Sequence, residues 1–271
     1  VSGRRRRRPT LVALDLDGTV VGYEGFQAMP TEAVTDAVRR VTEAGSHVVV
    51  ATGRSVHSTV HLFEPLGLKE GFAVCSNGAV IVDVATGEPV HVETFDVGDP
   101  VRYFTEQVPD ALLAVEELGR GFRVTGEFPV GELEGEVTVV DHDDLIANPV
   151  TRLVVRWPDG DRHRLSEIAA QSGLRSIDYA IGYSAWLDIM PAGVTKASGL
   201  RHVAQRLDVA AEDALAVGDG HNDLEMLTWA GLGVAMGQSA DDVKAVADEV
   251  CGDVTEDGLA GLLERFFPPG A

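Results

Sequence analysis

Two aspartates, Asp15 and Asp17, stand two residues apart and are followed at once by Gly18. In an extended chain, positions i and i+2 share a side-chain direction, and glycine permits a tight turn directly afterwards. Carboxylates brought together in this way repel unless a cation or an unusual protonation state relieves them. Their oxygens suit magnesium, which takes one or two protein carboxylates, keeps several waters and accepts phosphate oxygens from a substrate. Taken alone, the pair is equally compatible with plain turn capping. A second acidic block, Gly218-Asp219-Gly220-His221-Asn222-Asp223, brings two carboxylates four residues apart. Either could cap a helix, but glycines on both sides of Asp219 point to a close backbone approach. Asp219 facing Asp15 would complete a magnesium site.

Thr52-Gly53 offers a hydroxyl and an accessible N–H. At the mouth of a helix these form a phosphate cradle, and a simple N-cap is the plainer alternative. Lys196 is one of three lysines, with Lys69 and Lys244. In the first turn of a helix its charge opposes the macrodipole and calls for an anion, whereas a solvated lysine would need none. Phosphoryl transfer requires a nucleophile, a metal, a positive charge, hydrogen-bond donors and an acid/base for the leaving oxygen. Asp15, Asp17, Thr52, Lys196 and Asp219 together supply that set.

These residues need strands that end at one edge. Leu11 to Leu14 is a short apolar run of the kind found in a buried strand, and it stops at Asp15. Thr31 opens a helical pattern through Val34, Val38 and Val41 that Gly45 closes. Val48 to Ala51 predicts a second buried strand ending at Thr52, then a helix over about 55–66 and a strand over 72–75. This alternation predicts βαβ units and a parallel sheet. Val80–Val82 and Val90–Val92 flank a turn and predict a hairpin. From about 86 to 186 the pattern shifts to short alternating runs such as Val137–Val140 and Leu153–Trp157. The first pattern returns at Leu187, with a helix near Thr195, strands over 214–217 and 233–236, and helices near 226, 241–247 and 255–267. The prediction is an α/β protein: a Rossmann-like parallel-sheet core of residues 1–84 and 187–271, interrupted by an α+β cap over 85–186. Asp15, Thr52 and Asp219 each follow a predicted strand, the position where open α/β sheets carry ligand chemistry.

Forty-three acidic and 22 basic residues among 271 give a formal net charge of −21. Such a surface repels phosphate backbones, so nucleic acid is not an expected partner, while a small anion answers to the local field. No apolar run reaches the roughly 18 residues of a membrane span. Cys75 and Cys251 match neither a metal spacing nor a disulfide framework, and a cytoplasmic location with reduced thiols is the expectation. The run Arg4 to Arg8 lacks the apolar stretch of a signal peptide and reads as a solvated tail or a basic arm.

The blocks Asp15-Leu16-Asp17-Gly18-Thr19, Ala51-Thr52-Gly53-Arg54, Ser76-Asn77-Gly78-Ala79, Leu187 to Pro191 with Gly193 to Lys196, Gly218 to Asp223 and Val234 to Gln238 occur in one order. In these the chain resembles the haloacid dehalogenase superfamily, specifically the Cof-like phosphatases with a large inserted cap. The cap is matched by position and size, not by motif. The resemblance implies that Asp15 is a nucleophile forming an aspartyl-phosphate. Asp17 is implied to protonate the leaving alcohol and then deprotonate water, with its backbone carbonyl on magnesium. Thr52 and the Gly53 N–H are implied to hold phosphoryl oxygens, with Arg54, Asn77, Lys196 and Asn222 also on the substrate side. Asp219 is implied to bind magnesium directly, and Asp223 to orient a metal water or Lys196. His221 falls where that family varies.

The function so implied is magnesium-dependent hydrolysis of a small phosphorylated metabolite, with sugar phosphates as the expected class. Phosphotransfer to an acceptor other than water shares the same intermediate. An Asp-x-Asp nucleotide-sugar site would leave Lys196 and Asp219 idle, and a non-catalytic sensor would leave Asp15 and Asp17 idle. The acidic insert argues against a second phosphate on the substrate, although Arg152, Arg156, Arg162 and Arg164 oppose that inference. The sequence gives no oligomeric state.

Overall fold

The computed structural model describes residues 7–23, 28–174, 177–181 and 185–270, with 177–181 as backbone alone. Strand β1 (Leu11–Leu14) is apolar and completely buried. Helix α1 (Glu32–Glu43) follows, its first turn capped by the Thr31 hydroxyl accepting from Val34 N, and β2 (His47–Val50) returns beside β1. Later in the chain come α5 (Lys196–Arg206), β12 (Ala214–Gly218), α6 (Leu224–Trp229), β13 (Leu232–Ala235), α7 (Asp241–Val246), β14 (Glu249–Val250) and α8 (Gly258–Glu264). The five strands form one parallel sheet in the order β14-β13-β12-β1-β2. Val12 and Leu14 face a layer containing α1 and α8, whereas Leu11 and Ala13 face α5, α6 and α7. Burial on both faces explains why β1 is apolar throughout rather than alternating.

Between these halves the chain runs through β3 (Phe72–Cys75), β4 (Val80–Asp83), β5 (Pro89–Val92), α2 (Gly98–Gln107), β6 (Leu112–Glu117), β7 (Gly121–Val124), β8 (Glu136–Val139), α3 (His142–Leu145), β9 (Leu153–Arg156), α4 (Arg162–Gln171), β10 (Ile177–Ile181) and β11 (Trp186–Pro191). The order β10-β11-β9-β6-β7-β8 makes a six-stranded sheet, antiparallel except for the parallel β7–β8 pair. Leu113, Val115, Leu153 and Val155 pack beneath α2 and α4, and the alternate residues Ala114, Phe122, Val124 and Val154 face the other way.

Several expectations change. The predicted helix over 55–66 is a series of turns with a short 3-10 segment, Val60–Leu62. There Ser55 Oγ accepts from Ser58 N at 3.2 Å and Thr59 Oγ1 donates to Ser55 O at 2.7 Å, the local side-chain bonding that competes with helix. Thr52 therefore opens a loop and not a helix. β3 touches β2 through the parallel Ala51–Val74 bridge but then leads the antiparallel meander β3-β4-β5. The expected changeover at 84/85 falls inside the β4–β5 hairpin, and that at 186/187 falls at the start of a strand paired with β9 and β10. The half-buried alternation of β11 belongs to the antiparallel sheet. We propose a division that follows sheet membership, with the inserted part spanning about 94–191. Arg7 pairs with Asp213 at 3.1 Å and the Arg8 guanidinium lies 5.5 Å from the Phe267 ring centroid, so this end of the arginine run lies on the core. Arg4 to Arg6 lie outside the described residues. Among the described residues no helix is long and apolar enough to cross a membrane.

Gly78 joins β3 to β4 at φ +107° directly behind Ser76 and Asn77, which also hold positive φ. A Cβ at Gly78 would collide with the carbonyl of Thr195. Gly78→Ala is expected to destabilise the fold by about 3 kcal/mol, combining the positive-φ cost with the clash. Gly45→Ala has a similar φ of +79° but open space, and should cost only about 1 kcal/mol. Urea denaturation midpoints of the two variants measure the difference.

Candidate active site

Register places the functional loops together. Leu14 lies opposite Val217 on one side and Val50 on the other, so β1, β12 and β2 end level. Asp15 N donates to Val217 O at 3.0 Å and Ala51 N to Leu14 O at 2.8 Å, which carries the alignment one residue past the strands. Asp15, Thr52 and Asp219 thus leave the same edge. Lys196 is the first residue of α5, behind a capping box in which Thr195 and Ser198 satisfy each other's backbone N–H. Its ammonium opposes the dipole there, and carboxylates supply the compensation.

Lys196 Nζ donates to Asp15 Oδ1 at 2.5 Å and to Asp223 Oδ1 at 2.6 Å. The Asp223 carboxylate also accepts from the backbone N–H groups of Asp219 and Gly220, both at 2.9 Å. Asp15, Lys196, Asp219 and Asp223 are all buried. Burial, with the neighbouring Asp223, pushes the Asp15 carboxyl well above its ordinary pKa despite the opposing pull of Lys196. Burial works against the Lys196 charge too, but Asp15 and Asp223 outweigh it and hold the ammonium pKa above its ordinary value. One oxygen each from Asp15, Asp219 and Asp223 lie within 4.8 Å of one another. Three clustered carboxylates thus stand against one ammonium, which bonds two of them, an excess of negative charge that a divalent cation would neutralise. Asp223 is fully engaged by Lys196 and two N–H groups, which leaves Asp15 and Asp219 as the better direct ligands.

Gly18 (φ +82°) allows the chain to pass against Asp219, and a Cβ there would overlap that carboxylate and the Tyr23 hydroxyl. Tyr23 itself donates to Asp219 Oδ2. The Asp17 side chain lies outside the three-carboxylate cluster, held by Arg54 through Nε at 2.9 Å and Nη2 at 2.6 Å. Thr52 is buried, and its Oγ1 accepts from Arg54 N at 3.1 Å. A Cβ on Gly53 would meet the Asn77 amide at 3.1 Å, so glycine keeps that approach open. Asn222 Nδ2 donates to Asn77 Oδ1 at 2.9 Å, linking two of the expected substrate-side residues. His221 instead pairs with Asp242 at 2.8 Å and is exposed.

A cleft of about 380 Å³ lies between this edge and the six-stranded sheet. Asp15, Asp17, Gly53, Arg54, Asp219 and Asn222 line its floor, and Phe122, Leu133, Trp186, Glu132, Glu134 and Arg162 line the facing wall. Sequence reasoning missed Tyr23, Asp188 and Trp186. Tyr23 lies beyond the Asp-x-Asp motif with no distinguishing spacing. Trp186 and Asp188 lie in β11 on either side of the expected changeover between cap and core at 186/187, so their common cleft position could be seen only once β11 was paired with β9. Trp186 Nε1 donates to Asp188 Oδ1 at 3.1 Å, which fixes the indole against the cleft. Burial raises the Asp188 pKa, partly offset by Arg152.

The profile of a family described as haloacid dehalogenase-like hydrolase matches residues 12–119 and 133–263. YitU of Bacillus subtilis (strain 168), a 5-amino-6-(5-phospho-D-ribitylamino)uracil phosphatase, is 28% identical over 96% of this chain and 98% of its own length. The phosphatase BT1666 from Bacteroides thetaiotaomicron superposes with a TM-score of 0.80 at 26% identity, covering 98% of each chain. BT4131, a haloacid dehalogenase subclass IIB sugar phosphatase, has a TM-score of 0.81 at 21% identity over 95% of this chain and 98% of that one, a likeness of fold. The chain belongs to the haloacid dehalogenase-like hydrolases, as a Cof-like phosphatase of that family.

Proposed function

We propose that this phosphatase hydrolyses small phosphorylated metabolites, sugar phosphates among them, with magnesium and through a phosphoryl group carried on Asp15. The observation that supports this most strongly is the buried Lys196 bridging Asp15 and Asp223 beside Asp219. Asp15 attacks phosphorus while the bond to the leaving oxygen breaks, and Asp17 gives that oxygen a proton. Water then attacks the acyl phosphate, Asp17 takes its proton, and phosphate leaves with Asp15 restored. Lys196 fixes the attacking carboxylate, and Thr52 and the Gly53 N–H hold the equatorial oxygens. Incoming phosphoryl oxygens compete with Asp17 for the Arg54 guanidinium, which frees Asp17 for proton transfer. Asp15, Asp219 and the Asp17 carbonyl would hold magnesium, which neutralises charge on the transferring group. Phosphate release screened over a panel of sugar phosphates, nucleotides and 5-amino-6-(5-phospho-D-ribitylamino)uracil identifies the substrate.

Asp15→Asn is expected to cut turnover by about a thousandfold or more, because the amide is not a nucleophile. The same change should raise thermal stability in metal-free buffer. The folded state raises the Asp15 pKa, so it holds a proton at pH values where the unfolded chain has lost it. Stability therefore falls as pH rises from the ordinary aspartate range through the raised value, and asparagine removes that loss. A gain of about 1 kcal/mol corresponds to roughly 2 °C in Tm for a chain of this size. An unchanged or lower Tm at neutral pH would count against the charge excess.

Magnesium should support turnover and calcium should not, since calcium favours more ligands and longer bonds that displace the nucleophile. Full activity after exhaustive chelation refutes the metal requirement.

The facing wall of the cleft meets only the leaving group, so it sets which phosphoester is used. Trp186→Ala is expected to shift relative kcat/KM values among substrates by about tenfold, far more than it changes hydrolysis of acetyl phosphate. A uniform loss across all substrates would contradict this.

A further inference from the structure

We propose that Arg152 is a positioning residue for the Thr52 hydroxyl, so that the phosphate cradle is complete only when the inserted sheet is seated on the core. This rests on the reading of Thr52 and Gly53 as that cradle. Arg152 stands directly before β9, and its side chain is 6% exposed. Its Nη1 donates to the Gly53 carbonyl at 2.6 Å. The N–H of the same peptide unit belongs to Arg54 and donates to Thr52 Oγ1 at 3.1 Å. A single peptide plane therefore connects the guanidinium to the hydroxyl. A donor on its carbonyl polarises the peptide and strengthens the bond made by its N–H. With that bond occupying an acceptor site on Oγ1, the hydroxyl hydrogen is left to point elsewhere; Thr52 itself is fully buried and the adjoining Gly53 and Arg54 line the cleft, so on the cradle reading a phosphoryl oxygen receives that hydrogen only when it is drawn in against Gly53.

The guanidinium is held in place from the inserted sheet. Its Nε lies 3.6 Å from Glu116 Oε2, its Nη1 lies 3.6 Å from Asp188 Oδ1, and its carbon sits 5.4 Å from the Phe122 ring centroid. Both carboxylates also reach the core. Glu116 Oε2 accepts from Ser76 Oγ at 2.7 Å, and Asp188 Oδ2 lies 3.4 Å from Asn77 Nδ2. The loops after β2 and β3 are thereby tied to the same ionic group. Buried ion groups are a weak source of net stability, and packing alone does not call for a directed bond to the Gly53 carbonyl. That bond is the one the positioning role requires.

A double-mutant cycle on acetyl phosphate, whose leaving group is too small to need the cleft wall, tests the coupling. Thr52→Ala should lower kcat about 100-fold, the scale of losing one transition-state hydrogen-bond donor. Arg152→Met should lower kcat about tenfold with KM changed less than about threefold, since it misorients that donor without removing it. In the Thr52→Ala background, Arg152→Met should cost less than about twofold, and Arg152→Lys, which can still donate to Gly53, should recover most of the wild-type kcat. Equal losses in both backgrounds, or an Arg152→Met enzyme with wild-type kcat, overturn the proposal. If Thr52→Ala itself leaves kcat unchanged, the cradle reading fails and this inference falls with it, a result distinct from either of the others. Should Arg152→Met fail to fold by circular dichroism, Arg152→Gln in the same cycle decides the matter by the same criteria.

Discussion

Lys196 places one ammonium, 1% exposed, between Asp15 and Asp223 at 2.5 and 2.6 Å. Nearly every other feature of the site follows from that contact. The three strands β1, β2 and β12 must end level for Asp15 and Asp219 to meet, and α5 must begin where its first side chain reaches between them. Without the ammonium, Asp15, Asp219 and Asp223 would be three buried carboxylates within 4.8 Å of one another, an arrangement that cannot stay fully ionised. With it, the site is still short of positive charge, which suits a divalent cation, and in the proposed reaction that cation would also offset the charge of the incoming phosphoryl group. A site poised in this way sacrifices stability in its empty state for affinity toward its ligands.

Much of this arrangement was legible in the sequence, because the core strands are short apolar runs that terminate directly at chemical residues. Leu11–Leu14 stops at Asp15, and 214–217 runs into Gly218-Asp219. Lys196 could be singled out because a lysine in a helix's first turn needs an anion. Other parts were not legible because their placement depends on pairing partners distant in sequence. The segment 55–66 has apolar residues at helical spacing, but Ser55, Ser58 and Thr59 bond their own backbone and break the helix into turns. β11 carries a motif near the core, yet its register with β9 and β10 commits it to the inserted sheet. Sequence spacing alone does not choose between those partners.

The inserted sheet uses its two faces differently, and this determines where selectivity can arise. Leu113, Val115, Leu153 and Val155 are fully committed beneath α2 and α4. The other face carries Ala114, Phe122 and Val154, with Leu133 and Trp186 packed around them toward the cleft. A period of two sends alternate residues of one strand to scaffold and to cleft. On the function proposed above, Trp186 and Leu133, partly exposed at the edge of this face, would shape the leaving-group wall while the residues beneath α2 and α4 support it. Arg156 lies on this sheet as well, but it is spent on a two-point pair with Glu132 at 2.7 and 2.8 Å. Arg152 is spent on Glu116, Asp188 and Gly53, and Arg164 pairs with Glu167 at the surface. Of the four arginines that opposed the acidic charge of the insert in the sequence, Arg162 is the one lining the cleft without an ion pair among the described residues.

That distribution bears on what kind of substrate the cleft can hold. A second phosphate on the leaving group would enter beside Glu132 and Glu134, and a single half-buried guanidinium at Arg162 would face its charge. Bidentate recognition of phosphate generally relies on guanidinium groups whose donors are not already committed. Arg156 cannot turn to a ligand without leaving Glu132 unpaired, and Arg152 cannot without releasing the Gly53 carbonyl. Trp186, with its indole held by Asp188 and backed by the buried Phe122, offers instead an apolar surface edged by carboxylates. Hydroxyl groups can donate to those acceptors while the apolar face of a ring covers the indole. On the function proposed above, such a wall would take a neutral, hydroxyl-bearing leaving group in preference to a second anion.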